Sequence, residues 1–347
     1  MGSNLIMDDI GSAVDFRLRL IEFRDGESIR VARVRDAETV HVLRLDGGTY
    51  ALALRAIQIG KRLIEVVESL KVTDELSYQQ LIDSGDLLSP IAHPDPAHCL
   101  VSGTGLTHLG SADTRDSMHA KVNDPGAALT DSMKMFKLGL DGGKPEPGKI
   151  GAQPEWFYKG DGSILVAPYA PITVPGFALD GGEEPELVGI YLIGPDRHPY
   201  RIGFALGNEF SDHVTERQNY LWLAHSKLRN CAVGPELCIG EFPRSLEGTS
   251  RVLRNGSVIW EKPVFTGAEN MSHSIANLEH HHFKYAQFRR PGDLHIHFFG
   301  TSTLSFADGI KVAENDEFEF SAPGVGRSLR NSVRFAPEEG ATVVDRI

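Results

Sequence analysis

Glu184 and Glu186 stand two residues apart where the chain enters the apolar run Leu187-Val188-Gly189-Ile190-Tyr191-Leu192-Ile193. The run is rich in β-branched residues and bounded by Gly182 and Gly194, a pattern that predicts a buried strand. Alternation along a strand puts both carboxylates on one face. Like charges at the mouth of a buried strand repel unless a cation lies between them, and carboxylate oxygens suit a hard divalent ion such as Mg2+. The competing reading is a solvated acidic turn, helped by Glu183 and by Gly181-Gly182. A third carboxylate favours the ion. Glu209 follows Gly207-Asn208 at the end of the next apolar run, residues 200–206. Two carboxylates from one strand and a third from the end of the next can converge on one octahedral cation, leaving positions for substrate and water.

The elements that must position these groups are legible in outline. Residues 17–23 and 29–34 alternate apolar and polar residues around Asp25-Gly26, which predicts an antiparallel hairpin. A third strand is expected at residues 39–43. Residues 51–70 have helical periodicity with Gly60 as the weak point, and Thr73-Asp74 opens a second helix running to about Ile82. The proline-rich stretch of residues 89–96 reads as a linker. The expected division is therefore a small α+β N-terminal domain, residues 1–95, and a β-rich catalytic domain, residues 96–347. In the second, a helix near residues 127–138 precedes strands near residues 156–159, 164–168, 171–175, 187–193, 200–206, 258–260, 295–299 and 317–320. One further helix is expected near residues 272–285.

Composition bounds the partners. The 347 residues carry 41% hydrophobic and 24% charged side chains, as an ordinary globular protein does. A net charge of -12 argues against nucleic acid or an anionic membrane as the main partner. Three cysteines at irregular spacing give neither a disulfide framework nor a zinc pattern, and no apolar run reaches about 18 residues. These readings point to a cytoplasmic location.

With those residues in view, the chain resembles the fumarylacetoacetate hydrolase superfamily. The family's E-x-E-L is matched by Glu184-Pro185-Glu186-Leu187, and its G-[YF]…N-[DE]-x-S by Gly203-Phe204 through Asn208-Glu209-Phe210-Ser211. Phe157-Tyr158-Lys159, Ser226-Lys227 with Gly234-Pro235, Arg290-Pro291-Gly292-Asp293 with Gly300-Thr301, and the closing segment from Gly324 to Val333 follow in the family's order. Two departures stand out. The third ligand is Glu209 where the family usually has Asp, and Ser211 is followed by Asp212-His213 where the family commonly has A-R-D. The segments Gly103-Thr104-Gly105-Leu106-Thr107-His108, Arg115-Asp116-Ser117-Met118-His119 and Tyr78-Gln79-Gln80-Leu81-Ile82 resemble the branch that dehydrates 2-keto-3-deoxy-pentonates.

The resemblance implies a mixed β-roll or sandwich catalytic domain that pairs as a homodimer. It also implies an Mg2+-dependent (or Mn2+-dependent) lyase, taking a small anionic 2-oxo acid to 2-oxoglutarate semialdehyde. Chelation of the keto acid makes the C3 protons acidic. Glu184, Glu186 and Glu209 would hold the ion. Lys227 would act as base, its pKa lowered by the cation, or pair with the substrate carboxylate. Lys159, Gly300 and Thr301 would contact substrate. His108, with His119 as its rival, would assist departure of the C4 hydroxyl. The alternatives are a C–C hydrolase of acylpyruvates, with Glu236 or Asp116 supporting water activation, and a non-catalytic sugar-acid sensor. His280-His281-His282 and His295-x-His297 read better as buried, hydrogen-bonded histidines than as a second metal site.

Overall fold

The computed structural model describes residues 18–110 and 129–347. The stretch carrying Arg115, Asp116, Ser117, Met118 and His119 lies outside the described residues, as does the start of the helix expected at residue 127. The hairpin expected near the N-terminus is present: β1 (Leu18–Asp25) and β2 (Ser28–Val34) pair antiparallel, and β3 (Thr39–Leu43) adds to β2. The single helix expected over residues 51–70 is two, Thr49–Gln58 and Leu63–Ser69. Between them Gly60 takes φ +66°, a left-handed conformation that ends an α-helix.

The helix expected from Thr73 is corrected to a strand, β4 (Val72–Ser77), paired antiparallel with β3. Thr73-Asp74 has the chemistry of a helix start, but the free edge of β3 offers this segment ladder partners. The helix begins one element later, at Tyr78–Asp83, where the Ser77 side chain accepts the Gln80 N–H. That is an ordinary N-cap.

The remaining strands are β5 (Cys99–Gly103), β6 (Phe157–Asp161), β7 (Leu165–Val166), β8 (Ile172–Val174), β9 (Pro185–Ile193), β10 (Pro199–Asn208), β11 (Cys231–Val233), β12 (Leu237–Ile239), β13 (Leu246–Arg254), β14 (Ser257–Thr266), β15 (Leu294–Phe298), β16 (Glu317–Ser321) and β17 (Leu329–Phe335). Among the described residues they form two sheets. The larger runs β4-β3-β2-β1-β12-β10-β9-β15-β5-β6, with β11 beside β10 and β7; the smaller runs β14-β13-β16-β17-β8. The chain thus has the expected β-rich α+β fold, mixed in strand direction, with helices as covers.

β9 is buried along its whole length, and its two faces feed two cores. Val188, Ile190 and Leu192 pack with the N-terminal strands and the Thr49–Gln58 and Leu63–Ser69 helices. Leu187, Tyr191 and Ile193 pack with Phe320 and Leu329 of the second sheet and with Leu278. Such a strand has no solvent face, which explains why its sequence is a continuous apolar run rather than an alternation.

The N-terminal strands are tied into the same sheet through β1 and β12. Glu236, buried just before β12, receives Arg19 Nη1 at 2.9 Å, Tyr78 Oη at 3.2 Å and the Arg327 N–H at 3.0 Å. A Cβ on Gly326, which has φ +99°, would overlap that carboxylate, so glycine is required there. Glu236 is therefore a clasp between strands, and the water-activating role considered for it has no carboxylate left to perform it.

Candidate metal centre

β9 and β10 bring the acids together by register. Gly207 lies opposite Glu186 and Asn208 opposite Pro185. The ladder runs one step past the strand ends, with Glu209 N–H donating to the Glu184 carbonyl at 3.0 Å and Glu184 N–H to Asn208 Oδ1 at 3.2 Å. Glu184 and Glu209 thus face each other across the pair, and Glu186 is two residues along on the same side. All three are buried, and one carboxylate oxygen of each lies within 4.8 Å of the others.

Four donors hold the cluster. Lys227, at the end of the helix Leu223–Lys227, points Nζ at Glu184 Oε1, at Glu209 Oε2 (3.0 Å) and at Ser211 Oγ (3.2 Å). Lys159 on β6 reaches Glu209 Oε1 at 2.9 Å and the carbonyls of Phe210 (2.7 Å) and Lys227 (3.0 Å). Gly300 donates its N–H to Glu186 Oε2 at 2.6 Å. His213 approaches Glu184 Oε1 with Nε2 at 3.2 Å.

The compensation is uneven across the three acids. Burial would raise the pKa of Glu184, but Lys227 and His213 override it and hold the carboxylate well below its usual range. Glu186 goes the other way. Burial, then the neighbouring Glu209 and Glu184, push it well above the carboxylate range, with only the Gly300 N–H and the more distant Lys227 in opposition. A buried carboxylate pressed upward by two others is a place where a cation is favourable. The donor set is all oxygen, so the residues present fit a hard divalent ion rather than a soft one.

The lowered pKa expected of Lys227 belongs to a centre that holds a cation. Among the protein's own groups, burial works to lower it, but Glu184 and Glu209 raise it well above the usual lysine value. Lys159 has all three N–H bonds engaged inside the protein, so the structure shows it fixing Glu209 and the loop that follows. Gly300 has φ +94°, and a Cβ there would overlap Thr107 Oγ1. Thr301 stays in its own turn, accepting the Thr303 N–H at 3.2 Å.

His108 is buried behind Gly300, with Nδ1 3.0 Å from Thr107 Oγ1 and Nε2 2.8 Å from Thr266 Oγ1. Burial depresses its pKa to about 3, so it is a neutral ring with both nitrogens engaged. The other histidines form their own buried cluster. Trp156 Nε1 donates to His282 Nδ1 at 3.1 Å, and His282 Nε2 then meets His295 Nδ1 at 2.9 Å. His297 Nδ1 pairs with Ser102 Oγ at 2.9 Å.

Two groups at the centre were not singled out in the sequence. His213 was noticed only as a departure from the family pattern. Glu155, half-buried before β6, accepts Tyr220 Oη at 2.5 Å and lies against Gly105. Burial raises its pKa, against Tyr220 and Lys227, while Glu216 and Glu184 add to the rise. No spacing signal connects Glu155 to residues 184–209; only the tertiary fold does.

No family model matches the chain. A probable 2-keto-3-deoxyxylonate dehydratase of Haloferax volcanii is 29% identical over 188 residues, 52% of this chain and 60% of that protein. The match thus spans about three fifths of the relative's length. In fold, the chain is similar to the apo form of a 2-keto-3-deoxy-D-arabinonate dehydratase, with a TM-score of 0.67 at 20% identity, covering 92% of this chain and all of that one. The same enzyme complexed with magnesium and 2,5-dioxopentanoate gives 0.65 at 20% identity over the same share. A 2-hydroxyhepta-2,4-diene-1,7-dioate isomerase from Mycobacterium marinum gives 0.56 at 17% identity, again over 92% of this chain and all of that one.

Proposed function

We propose that this chain belongs to the fumarylacetoacetate hydrolase superfamily and is an Mg2+-dependent dehydratase of a 2-keto-3-deoxy-pentonate, releasing 2-oxoglutarate semialdehyde. The observation that carries the reading is the buried convergence of Glu184, Glu186 and Glu209 beside Lys227. The likeness to dehydratases of 2-keto-3-deoxy sugar acids supports this reaction over C–C hydrolysis. Glu184, Glu186 and Glu209 are the proposed ligands, with Mn2+ as the substitute ion. When bound, the ion supplies Lewis acidity towards the keto and carboxylate oxygens of the substrate, which acidifies C3.

The chain's own groups do the rest. Lys227, an ammonium within reach of two of the acids, draws the substrate carboxylate inward. The N–H of Gly300 keeps Glu186 turned towards the centre, and Thr301 beside it offers a hydroxyl to the substrate. Glu155 has its pKa raised by burial, the direction that suits a carboxyl group to proton transfer. It takes the C3 proton and returns it to the departing C4 hydroxyl, so that water leaves; tautomerisation then gives the aldehyde. His108 keeps the Gly300 turn in place from behind, and the acid role expected of it passes to Glu155.

The homodimer, the cytoplasmic setting and the division near residue 95 belong to the same proposal. No helix among the described residues is long and apolar enough to cross a membrane. The test is carbon NMR of products from the full chain with Mg2+ and racemic 2-keto-3-deoxypentonate, beside Glu186→Gln and Glu155→Gln. An aldehyde product lost in both variants supports the reading. Intact substrate together with pyruvate release from a 2,4-diketo acid would overturn it in favour of the hydrolase.

A further inference from the structure

We infer that His213 is the positioning residue for Glu184, and that its ring decides which oxygen of that carboxylate is presented to a divalent cation. This rests on the reading of Glu184 as a ligand. The ring lies between two carboxylates, with Nε2 3.2 Å from Glu184 Oε1 and Nδ1 3.5 Å from Asp180 Oδ2. The second distance is an ion-pair contact, too long for a strong hydrogen bond. Neither His213 Nδ1 nor Asp180 Oδ2 has a hydrogen-bond partner among the described residues.

The ring cannot swing away. It stacks on Phe306 at 5.1 Å and 22°. A Cβ on Gly182 would come within 2.6 Å of Nδ1, so glycine there makes room for it. Its backbone opens the helix His213–Gln218, which Asp212 caps by accepting the Thr215 N–H at 2.9 Å. Asp212 is fixed in turn by Arg229 at 3.0 Å and the Leu179 N–H at 2.9 Å.

Lys227 and His213 share the same oxygen, Oε1, but they differ in kind. Lysine is a flexible stem whose ammonium can follow a substrate carboxylate. The histidine ring is locked by packing. When Lys227 turns to the substrate, His213 keeps Oε1 engaged, so Glu184 does not rotate and its other oxygen stays turned to the ion. Groups that orient a ligand from behind typically change metal affinity by about 10- to 100-fold when removed.

The test is Mn2+ affinity of the full chain, read from the paramagnetic resonance of free Mn2+, with thermal midpoints alongside. His213→Asn keeps a donor for Asp180 and loses the one for Glu184; it should bind Mn2+ about 10- to 100-fold more weakly. His213→Gln, whose amide nitrogen reaches the position of Nε2, should restore most of the loss at a similar midpoint. Asp180→Asn should weaken binding by a smaller factor, and reports on the same contact should His213→Asn fold poorly. Wild-type affinity in His213→Asn, with binding abolished in Glu186→Gln, overturns the inference and leaves the ligand set standing. A wild-type chain that binds no Mn2+ overturns both.

Discussion

Two buried polar clusters sit one strand apart in the large sheet. The acids are on β9 and β10, and the histidines are mainly on β15, which pairs with β9 so that His297 faces Gly189 and His295 faces Tyr191. The histidine cluster is satisfied without charge through the Trp156–His282–His295 chain and the His297–Ser102 pair, with His295 Nε2 and His297 Nε2 left without a hydrogen-bond partner among the described residues. Trp156 can only donate, so His282 must accept at Nδ1 and donate from Nε2 to His295, and neutral rings suffice. Burial holds His295 at about 4, against the pull of Asp293, and His297 at about 3, with His295 adding to the fall. The acid cluster differs. It holds three carboxylates against Lys159, Lys227 and His213, yet these donors lie on Glu184 and Glu209, and the carboxylate between them, Glu186, is displaced upward. Burial alone does not make a site; an uncompensated charge, held rigidly, does.

The comparison can be broken most forcefully at Glu209. Glu209→Ala takes the carboxylate from Lys159 and one of two from Lys227, and should cost about 3–5 kcal/mol in urea unfolding, the usual penalty for removing one partner of a buried pair. Glu186→Gln should do the reverse in chelator: with like-charge repulsion removed, the unfolding midpoint rises, while the stabilisation given by added Mg2+ disappears. A fall in midpoint would mean that Glu186 is held by donors rather than pressed by its neighbours.

The histidines should respond to pH in the opposite sense to Glu186. A ring near 6.5 when unfolded but near 3–4 when folded takes up protons preferentially in the unfolded chain. The stability it permits is complete above about pH 6.5 and declines as pH falls towards the folded value. At pH 5.5 each such ring costs about 1.4 kcal/mol. Urea unfolding at pH 7.5 and 5.5 should show this loss reduced by about that amount in His297→Asn. The smallest effect is expected for Trp156→Phe, which removes one hydrogen bond and should cost about 1 kcal/mol. It should also let His282 change tautomer, visible as shifted ring-nitrogen resonances.

How much of this was legible in the sequence follows from the range of each signal. The Glu184, Glu186 and Glu209 arrangement could be read because strand alternation and a short β-hairpin connection are local rules. The break at Gly60 was visible as a weakness and proved to be a stop. β4 was misread because an exposed edge strand with Thr73, Asp74 and Glu75 carries helix-start chemistry and little apolar pattern. β13, with Glu247, Gly248, Thr249 and Ser250 in its first half, alternates too faintly to be seen. Glu155 and the contacts of His213 were out of reach, since each is delivered by an irregular segment whose position only the packed sheets define. The partners of Lys227 were out of reach for a related reason, since its two carboxylate neighbours, Glu184 and Glu209, come from different strands.

The complete burial of β9, paired on one edge with β10 and on the other with β15, has a consequence on the time axis. A strand with both edges bonded and both faces packed opens only when the whole domain opens. Its amide hydrogens, from Glu186 to Leu192, should therefore be among the slowest in the molecule to exchange with solvent deuterium, at a rate set by global unfolding. The acids at its mouth inherit that clock: side chains there can move while the sheet stays closed, and the frame that presents the oxygens stays fixed from one global unfolding to the next.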